Sequence, residues 1–135
     1  MIFLVDANVL SEPTKASPAP KVVDWLLRHE AELVVDPIIL GEVRFGIHLL
    51  PAGKRRRRLE VWFKDGVASI SCLPWSADTG LRWAKLLADL RFAGQAMSVK
   101  DSMIAATALL HGLTVATRNS ADFKKSGAKL VDPFA

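Results

Sequence analysis

The chain has 135 residues, half of them apolar and 24% charged, with a formal charge of +4. That length suits one domain with a sizeable core, and the apolar content excludes a disordered, solvated chain. The longest stretch free of Asp, Glu, Lys and Arg, Ser102 to Thr117, is too short for a membrane span and includes His111 and Gly112. A single cysteine, Cys72, allows no intrachain disulfide and suits a reducing cytoplasm, and the N-terminus lacks the basic leader of a secretory signal. The pI near 9.5 leans toward a polyanionic or acidic partner.

Ile2–Val5 is a run of strand-formers, and Asp6 stands where that strand should end. In open α/β sheets the carboxyl ends of the strands line the ligand crevice, so an acid delivered there is a candidate for binding a metal or a phosphate-bearing substrate. A turn-forming Asp that bonds nearby amides, with Asn8 doing likewise, is the plainer alternative. Pro13, Pro18 and Pro20 punctuate the connection to a helix over Pro20–His29, and a strand over Leu33–Val35 follows. Asp36 then precedes Pro37. An N-cap with Pro at the first helical position explains that pair and leaves Asp36 outside any site.

The next helix, Pro37–Leu50, drawn with a step of about 100° per residue, sets Ile38, Phe45 and Leu49 on one side of Glu42. Ile39, Val43 and Leu50 fall on the other, and Arg44 and His48 lie well away. Glu42 therefore sits inside the apolar arc, where a carboxylate without a partner is costly to desolvate. A buried ion pair or a rim position reaching solvent is the alternative. Pro51–Gly53 ends this helix, and the following one, Lys54–Lys64, opens with KRRRR, Lys54 to Arg58. Such a run is ordinarily a solvated face and is also a candidate contact for an RNA backbone. Lys54, Arg55, Arg56, Arg57 and Arg58 are the weak RNA-binding candidates, with Leu59, Trp62 and Phe63 facing inward.

A strand over Ser69–Leu73 leads to helices over Ala77–Phe92 and Ser98–His111. The segment SVKDSMIAATALLHG begins Ser-x-x-Asp before an apolar run, a variant of the capping box in which Asp101 reaches back to the Ser98 amide. The small apolar residues behind it imply a helix in the middle of the domain, with Asp101 at the mouth of the core; capping and a site role both stay open. A strand over Thr114–Ala116 runs into ATRNSADF, where Asn119 can cap a short helix with Asp122 in its third position. Lys129–Val131 is the last strand. Strands alternating with helices predict a parallel sheet covered on both faces, in one α/β domain over residues 1–135. His29, His48 and His111 lack metal-binding spacing, and no glycine-rich phosphate loop occurs, so zinc, covalent and phosphate-loop chemistry find no support. Trp25, Trp62, Trp75 and Trp83 offer stacking surfaces for bases, but helical spacing assigns most of them to core or dimer contacts.

Four segments in order, LVDANVLSE, ILGEVRFGIHLL, KDSMIAATALLHG and VATRNSADF, resemble the PIN domain, and within it the VapC and FitB-like ribonuclease toxins of prokaryotic toxin–antitoxin pairs. The resemblance spans essentially the whole chain. It implies a three-layer α/β/α domain with a parallel sheet ordered 3-2-1-4-5, and a metal-dependent endoribonuclease using Mg²⁺ or Mn²⁺. The family's first three acids match Asp6, Glu42 and Asp101, with Asp6 and Asp101 as principal ligands and Glu42 binding metal or orienting water. At the fourth position this chain departs, since Asn119 stands where some relatives carry an acid, and Asp122 follows three residues later. Asn119 is then expected to bond a water on the metal and Asp122 to supply the missing charge. Ala7 replaces the Thr or Ser common after the first Asp, and Asn8 fixes the turn that presents Asp6. The resemblance also implies a homodimer and a small cognate antitoxin whose tail occludes the acidic site.

Phosphodiester cleavage needs an activated water, neutralisation of a crowded anionic transition state, and in-line geometry, which hard divalent cations on carboxylate oxygens can supply. Two carboxylates about 5 Å apart repel by roughly 3 kcal/mol at an effective dielectric near 20. Three converging on one crevice therefore raise one another's pKa or recruit a cation. Two other readings remain: a PIN-domain RNA-processing nuclease without a toxin role, and a noncatalytic basic module in which the acids only cap helices. A receiver-like domain phosphorylated on Asp6 fits poorly, because the expected downstream Lys and paired acids are not recognisable.

Overall fold

Five short strands form one parallel sheet in the computed structural model, which describes residues 1–135. They are β1 (Phe3–Val5), β2 (Leu33–Val35), β3 (Ser71–Cys72), β4 (Thr114–Ala116) and β5 (Lys129–Val131), in the spatial order β3-β2-β1-β4-β5. Leu4 pairs with Val34 on one side and Val115 on the other, so β1 is central. Successive strand residues point to opposite faces, yet Leu4, Val5, Val34, Val35, Val115 and Ala116 are all fully buried. Both faces of the sheet are thus covered, as the unbroken apolar runs require. The 3-2-1-4-5 order and the layered α/β arrangement agree with the expectation.

Seven helices surround the sheet: α1 (Ala7–Leu10), α2 (Pro20–Arg28), α3 (Pro37–His48), α4 (Lys54–Asp65), α5 (Ala77–Phe92), α6 (Val99–His111) and α7 (Ser120–Lys124). β2, β4, β5 and α5 fall where the sequence pattern sets them. β3 is shorter than expected because Ser71 and Cys72 lie exposed on the sheet's edge, with a ladder on one side only. Helix α1 and three 3-10 turns (Glu12–Thr14, Glu30–Glu32 and Val67–Ser69) go beyond the expected elements. Each is too short for periodicity to declare itself.

Helix α6 is the element that most constrains the site. Ile104, Ala105, Ala106 and Ala108 are buried on its several faces, and the helix packs along α5. Trp83 of α5 donates from Nε1 to Ser102 Oγ at 2.9 Å, which holds the first turn of α6. Gly112 ends the helix in the left-handed region at φ 66°, where a side chain would be strained. In α3 the buried positions are Ile39, Val43 and Ile47, whereas Phe45 and, just past the helix end, Leu49 are 62% and 69% exposed. The apolar arc of this helix is wider than the surface that covers it, and Glu42 lies near its margin.

Candidate active site

Asp6 directly follows β1 and Thr117 directly follows β4. The chain departs from β1 toward β2 on one side of the sheet and reaches β4 on the other, so the two residues flank the switch point where α/β sheets hold ligands. Asp6 is 2% exposed and Thr117 fully buried. The Asp6 Oδ1 accepts from the Ala7 amide at 2.9 Å and thereby caps α1. Its Oδ2 accepts from Thr117 Oγ1 at 2.7 Å and from Asn8 Nδ2 at 3.3 Å. Thr117 Oγ1 in turn accepts from the Asn119 amide at 3.0 Å, and Asn8 Oδ1 from the Arg118 amide at 3.1 Å. The loops after β1 and β4 are therefore laced together around one carboxylate. Burial pushes the Asp6 carboxyl above its usual range; the Thr117 and Ala7 bonds oppose this, while the charges of Glu42 and Asp101 add to it.

Asp101 enters from the first turn of α6. Ser98 Oγ accepts from the Asp101 amide at 3.2 Å, but the Asp101 carboxylate does not return a bond to the Ser98 amide, so only half of the expected box forms. Asp101 is 7% exposed, and its Oδ1 is buried with no hydrogen-bond partner. Burial raises its carboxyl above the ordinary value; Lys100 and Ser98 hold it down, and Glu42 and Asp122 push it up.

Glu42 comes from α3, half-buried, with Oε1 shielded from solvent and unpartnered. Its Oε2 accepts from the Lys100 ammonium, which also stands 3.9 Å from Asp101 Oδ1. Burial alone would lower the Lys100 pKa, but the bond to Glu42 and the charges of Glu42, Asp101 and Asp6 raise it on balance. Asp6, Glu42 and Asp101 thus lie within one another's electrostatic reach around a single ammonium. Glu42 keeps an ion pair at the rim of the apolar arc, which is the alternative open for it, while its Oε1 stays buried without a partner. No three His, Cys, Asp or Glu side chains converge tightly enough to enclose an ion as they stand.

Asn119 and Asp122 are exposed at the start of α7; Asn119 makes no side-chain cap bond, and Asp122 acts on Asp101 through its charge. Asp36 is fully buried as the N-cap of α3, accepting from the Ile39 amide at 2.9 Å and from Thr107 Oγ1 at 2.8 Å, so it stays outside the cluster. In α4, Lys54, Arg55, Arg57 and Arg58 are exposed. Arg56 instead bonds Glu60 at 3.1 Å and reaches the Leu50 carbonyl at 3.5 Å, which fixes the α3–α4 turn. His29 packs edge-on against Phe3 and bonds Glu32 at 2.8 Å, away from the acids. A cavity of about 590 Å³, mostly apolar, lies between α2 and the end of α4 and contains none of Asp6, Glu42, Asp101 or Asp122. The carboxylates, rather than the cavity, mark the candidate site.

Two participants escape a reading of the sequence. Thr117 had a usable signal, being a polar residue at a strand's carboxyl end like Asp6. Lys100 had none, since its partner Glu42 lies 58 residues away.

The PIN domain profile matches residues 3–129. VapC ribonuclease Y4jK of Sinorhizobium fredii is 36% identical over 98% of both chains. The toxin FitB of Neisseria gonorrhoeae is 31% identical over 98% of this chain and 99% of its own. The crystal structure of FitAcB from Neisseria gonorrhoeae superposes with a TM-score of 0.92 at 29% identity, covering 98% of this chain and 99% of that one. A structure of FitAB bound to an IR36 DNA fragment gives 0.93 at 28% identity, with 99% and 96% covered. With the sheet order, the matched span and these relatives in agreement, the chain belongs to the PIN-domain family, among the VapC and FitB toxins of toxin–antitoxin systems.

Proposed function

We propose that residues 1–135 work as one PIN-like nuclease domain, a metal-dependent endoribonuclease that serves as the toxin of a type II toxin–antitoxin pair. The observation that carries this reading is the cluster at the switch point: three carboxylates, one just past β1 and the others from α3 and α6, two of them with a buried oxygen that no protein donor satisfies. Unpartnered buried carboxylate oxygens are costly, and hard oxygen donors of this kind fit Mg²⁺ or Mn²⁺. Asp6 and Asp101 are the principal ligands, with Glu42 as ligand or water-orienting group and Asp122 adding negative charge at the rim. When bound, the ion neutralises phosphate charge and promotes ionisation of a water.

The remaining roles follow from the chain's own bonds. Thr117, Asn8 and the Ala7 amide hold Asp6 in one orientation, so its carboxylate needs no reordering when the ion enters. Asn119 stands next to this network, with its side chain free to bond a water. The exposed cations of α4 offer a track for the RNA backbone. Phe92 and Leu81, 88% and 71% exposed on α5, supply apolar surface for a homodimer. The FitAB complexes among the relatives support a small cognate antitoxin, and we assign it the role of covering the acids. No helix is long and apolar enough to cross a membrane, and we place the activity in the cytoplasm.

Cleavage of total RNA with Mg²⁺ or with chelator tests the enzyme, and growth arrest relieved by a co-encoded small protein tests the toxin role. Asp6→Asn and Asp101→Asn are each expected to lose cleavage and metal binding while keeping the fold. Full cleavage in either variant, or undiminished cleavage under chelation, overturns the assignment. RNA binding with neither cleavage nor metal uptake would favour the noncatalytic module.

A further inference from the structure

We infer that Lys100 is an internal counter-cation of the carboxylate cluster, competing with the divalent ion for Glu42 and Asp101 and thereby setting the metal affinity of the site. The inference rests on the metal-site reading above and adds to it a residue that the chain supplies against its own cofactor.

The geometry is specific. Lys100 reaches from α6 across to α3, bonds Glu42 Oε2, and holds its ammonium 3.9 Å from Asp101 Oδ1. A solvated lysine on a helix would extend into water. This one keeps its head among acids although its side chain is 44% exposed. It also satisfies the cluster incompletely. Glu42 Oε1 and Asp101 Oδ1 remain buried and bare, so one positive charge faces three carboxylates that carry up to three negative ones. A single ammonium relieves part of the repulsion and leaves the donor set open to a cation of higher charge. A dication entering the same space would be attracted by all three carboxylates, which must draw closer to enclose it, and would meet the ammonium's field at close range. The ammonium must then yield its place beside Glu42 or remain as a repelling neighbour. Either way, part of the ion's binding energy is offset.

Removing the ammonium should have two opposite effects. Without metal, the carboxylates lose their only neutralising partner and the fold weakens. With metal, the competitor is gone and the ion binds more tightly. A merely structural ion pair predicts the first effect without the second.

Calorimetric titration of Mn²⁺ into the full chain, paired with thermal melts at increasing Mn²⁺, separates these outcomes. Lys100→Met keeps the alkyl stem and removes the charge; it is expected to bind Mn²⁺ about tenfold more tightly than the native chain. Its metal-free melting temperature should be lower and its upward shift with Mn²⁺ larger. Lys100→Gln is the second neutral variant, able to keep a hydrogen bond to Glu42, and should move the same way. Lys100→Arg retains the charge and should stay within about twofold of the native affinity. Native or weaker affinity in both neutral variants overturns the inference, while loss of Mn²⁺ binding in Asp6→Asn shows in the same experiment that the metal site itself stands. Absence of Mn²⁺ binding in the native chain overturns the metal-site reading and this inference together.

Discussion

The Thr117 hydroxyl donates to Asp6 Oδ2 at 2.7 Å, tying the residue after β4 to the residue after β1 across the switch point of the sheet. Both side chains are almost completely buried, so the bond has no competition from water. Thr117→Val keeps the shape and leaves Asp6 Oδ2 with Asn8 alone, at 3.3 Å. A hydrogen bond to a charged group contributes about 1.5–3 kcal/mol, and urea denaturation should report a loss of that order. Because the Thr117 bond opposes the rise caused by burial, the Asp6 carboxyl should climb further. The acid limb of the RNA-cleavage profile then moves to higher pH. An unmoved limb would remove Thr117 from the site's machinery.

Stability of the metal-free chain should carry the signature of these raised acids. Asp6, Asp101 and Asp36 all have carboxyls pushed upward, with burial the leading cause in each. When folding raises an acid's pKa, the folded chain holds that proton more tightly than the unfolded one. Stability then falls as pH rises from the unfolded value, about 4, through the folded one, and the full cost persists above it. Glu12 works in the opposite direction, its carboxyl lowered by the Ala19 amide and by Lys15. The Asp6→Asn/Asp101→Asn double variant should therefore gain stability over the native chain at neutral pH and lose that advantage near pH 4, about the ordinary Asp value. Asp36 leaves a residual slope. Melts across this range without metal check the sign, and an equal difference between the two proteins at both ends would refute it.

Local sequence and distant packing divided the information unevenly. β2, β4 and β5 are legible because each is a short run with β-branched or aliphatic residues that stops at a polar residue, Asp36, Thr117 or Asp132, and α5 because its apolar period runs over sixteen residues. Helix α1 has four residues and offers no period to read. Asp6, Asp36 and Thr117 carry the same local mark, a polar side chain just past a strand, and Pro37 was enough to set Asp36 apart. The wheel for α3 found Glu42 among apolar neighbours but could not tell which of them the core covers. Phe45 and Leu49 are left in solvent, and the partner of Glu42 is a lysine on another helix. Pairings of that kind depend on how α3 and α6 sit on the sheet, which no short window of sequence encodes.

Asp36 provides a contrast that separates folding from the site. It caps α3 through the Ile39 amide and accepts from Thr107, whose hydroxyl is buried on α6. Asp36→Ala removes the cap and strands a buried hydroxyl, and the two losses together should cost about 2–4 kcal/mol. Folded protein should still bind Mn²⁺ with native affinity. Denaturant curves and calorimetry on the same sample test both halves, and a selective loss of metal binding would bring Asp36 into the site.

The basic run of α4 splits into free and tethered cations, and the split predicts two kinds of variant. Arg55, Arg57 and Arg58 have no acidic partner within ion-pair distance and point into solvent, whereas Arg56 is held by Glu60 and the Leu50 carbonyl. If the run follows an RNA backbone, each phosphate left without its arginine should reduce the slope of log affinity against log salt by roughly 0.7, the single-strand value. Replacing Arg55, Arg57 and Arg58 by Ala should then weaken RNA binding and flatten its salt dependence without moving the melting temperature much. Arg56→Ala should do the reverse, costing up to about 1 kcal/mol of stability as its ion pair with Glu60 disappears, while leaving most of the slope. Binding isotherms at several salt concentrations distinguish the two. An unaltered slope in the triple variant would mean that the positive charge of α4 is a solvated face and that RNA is held elsewhere.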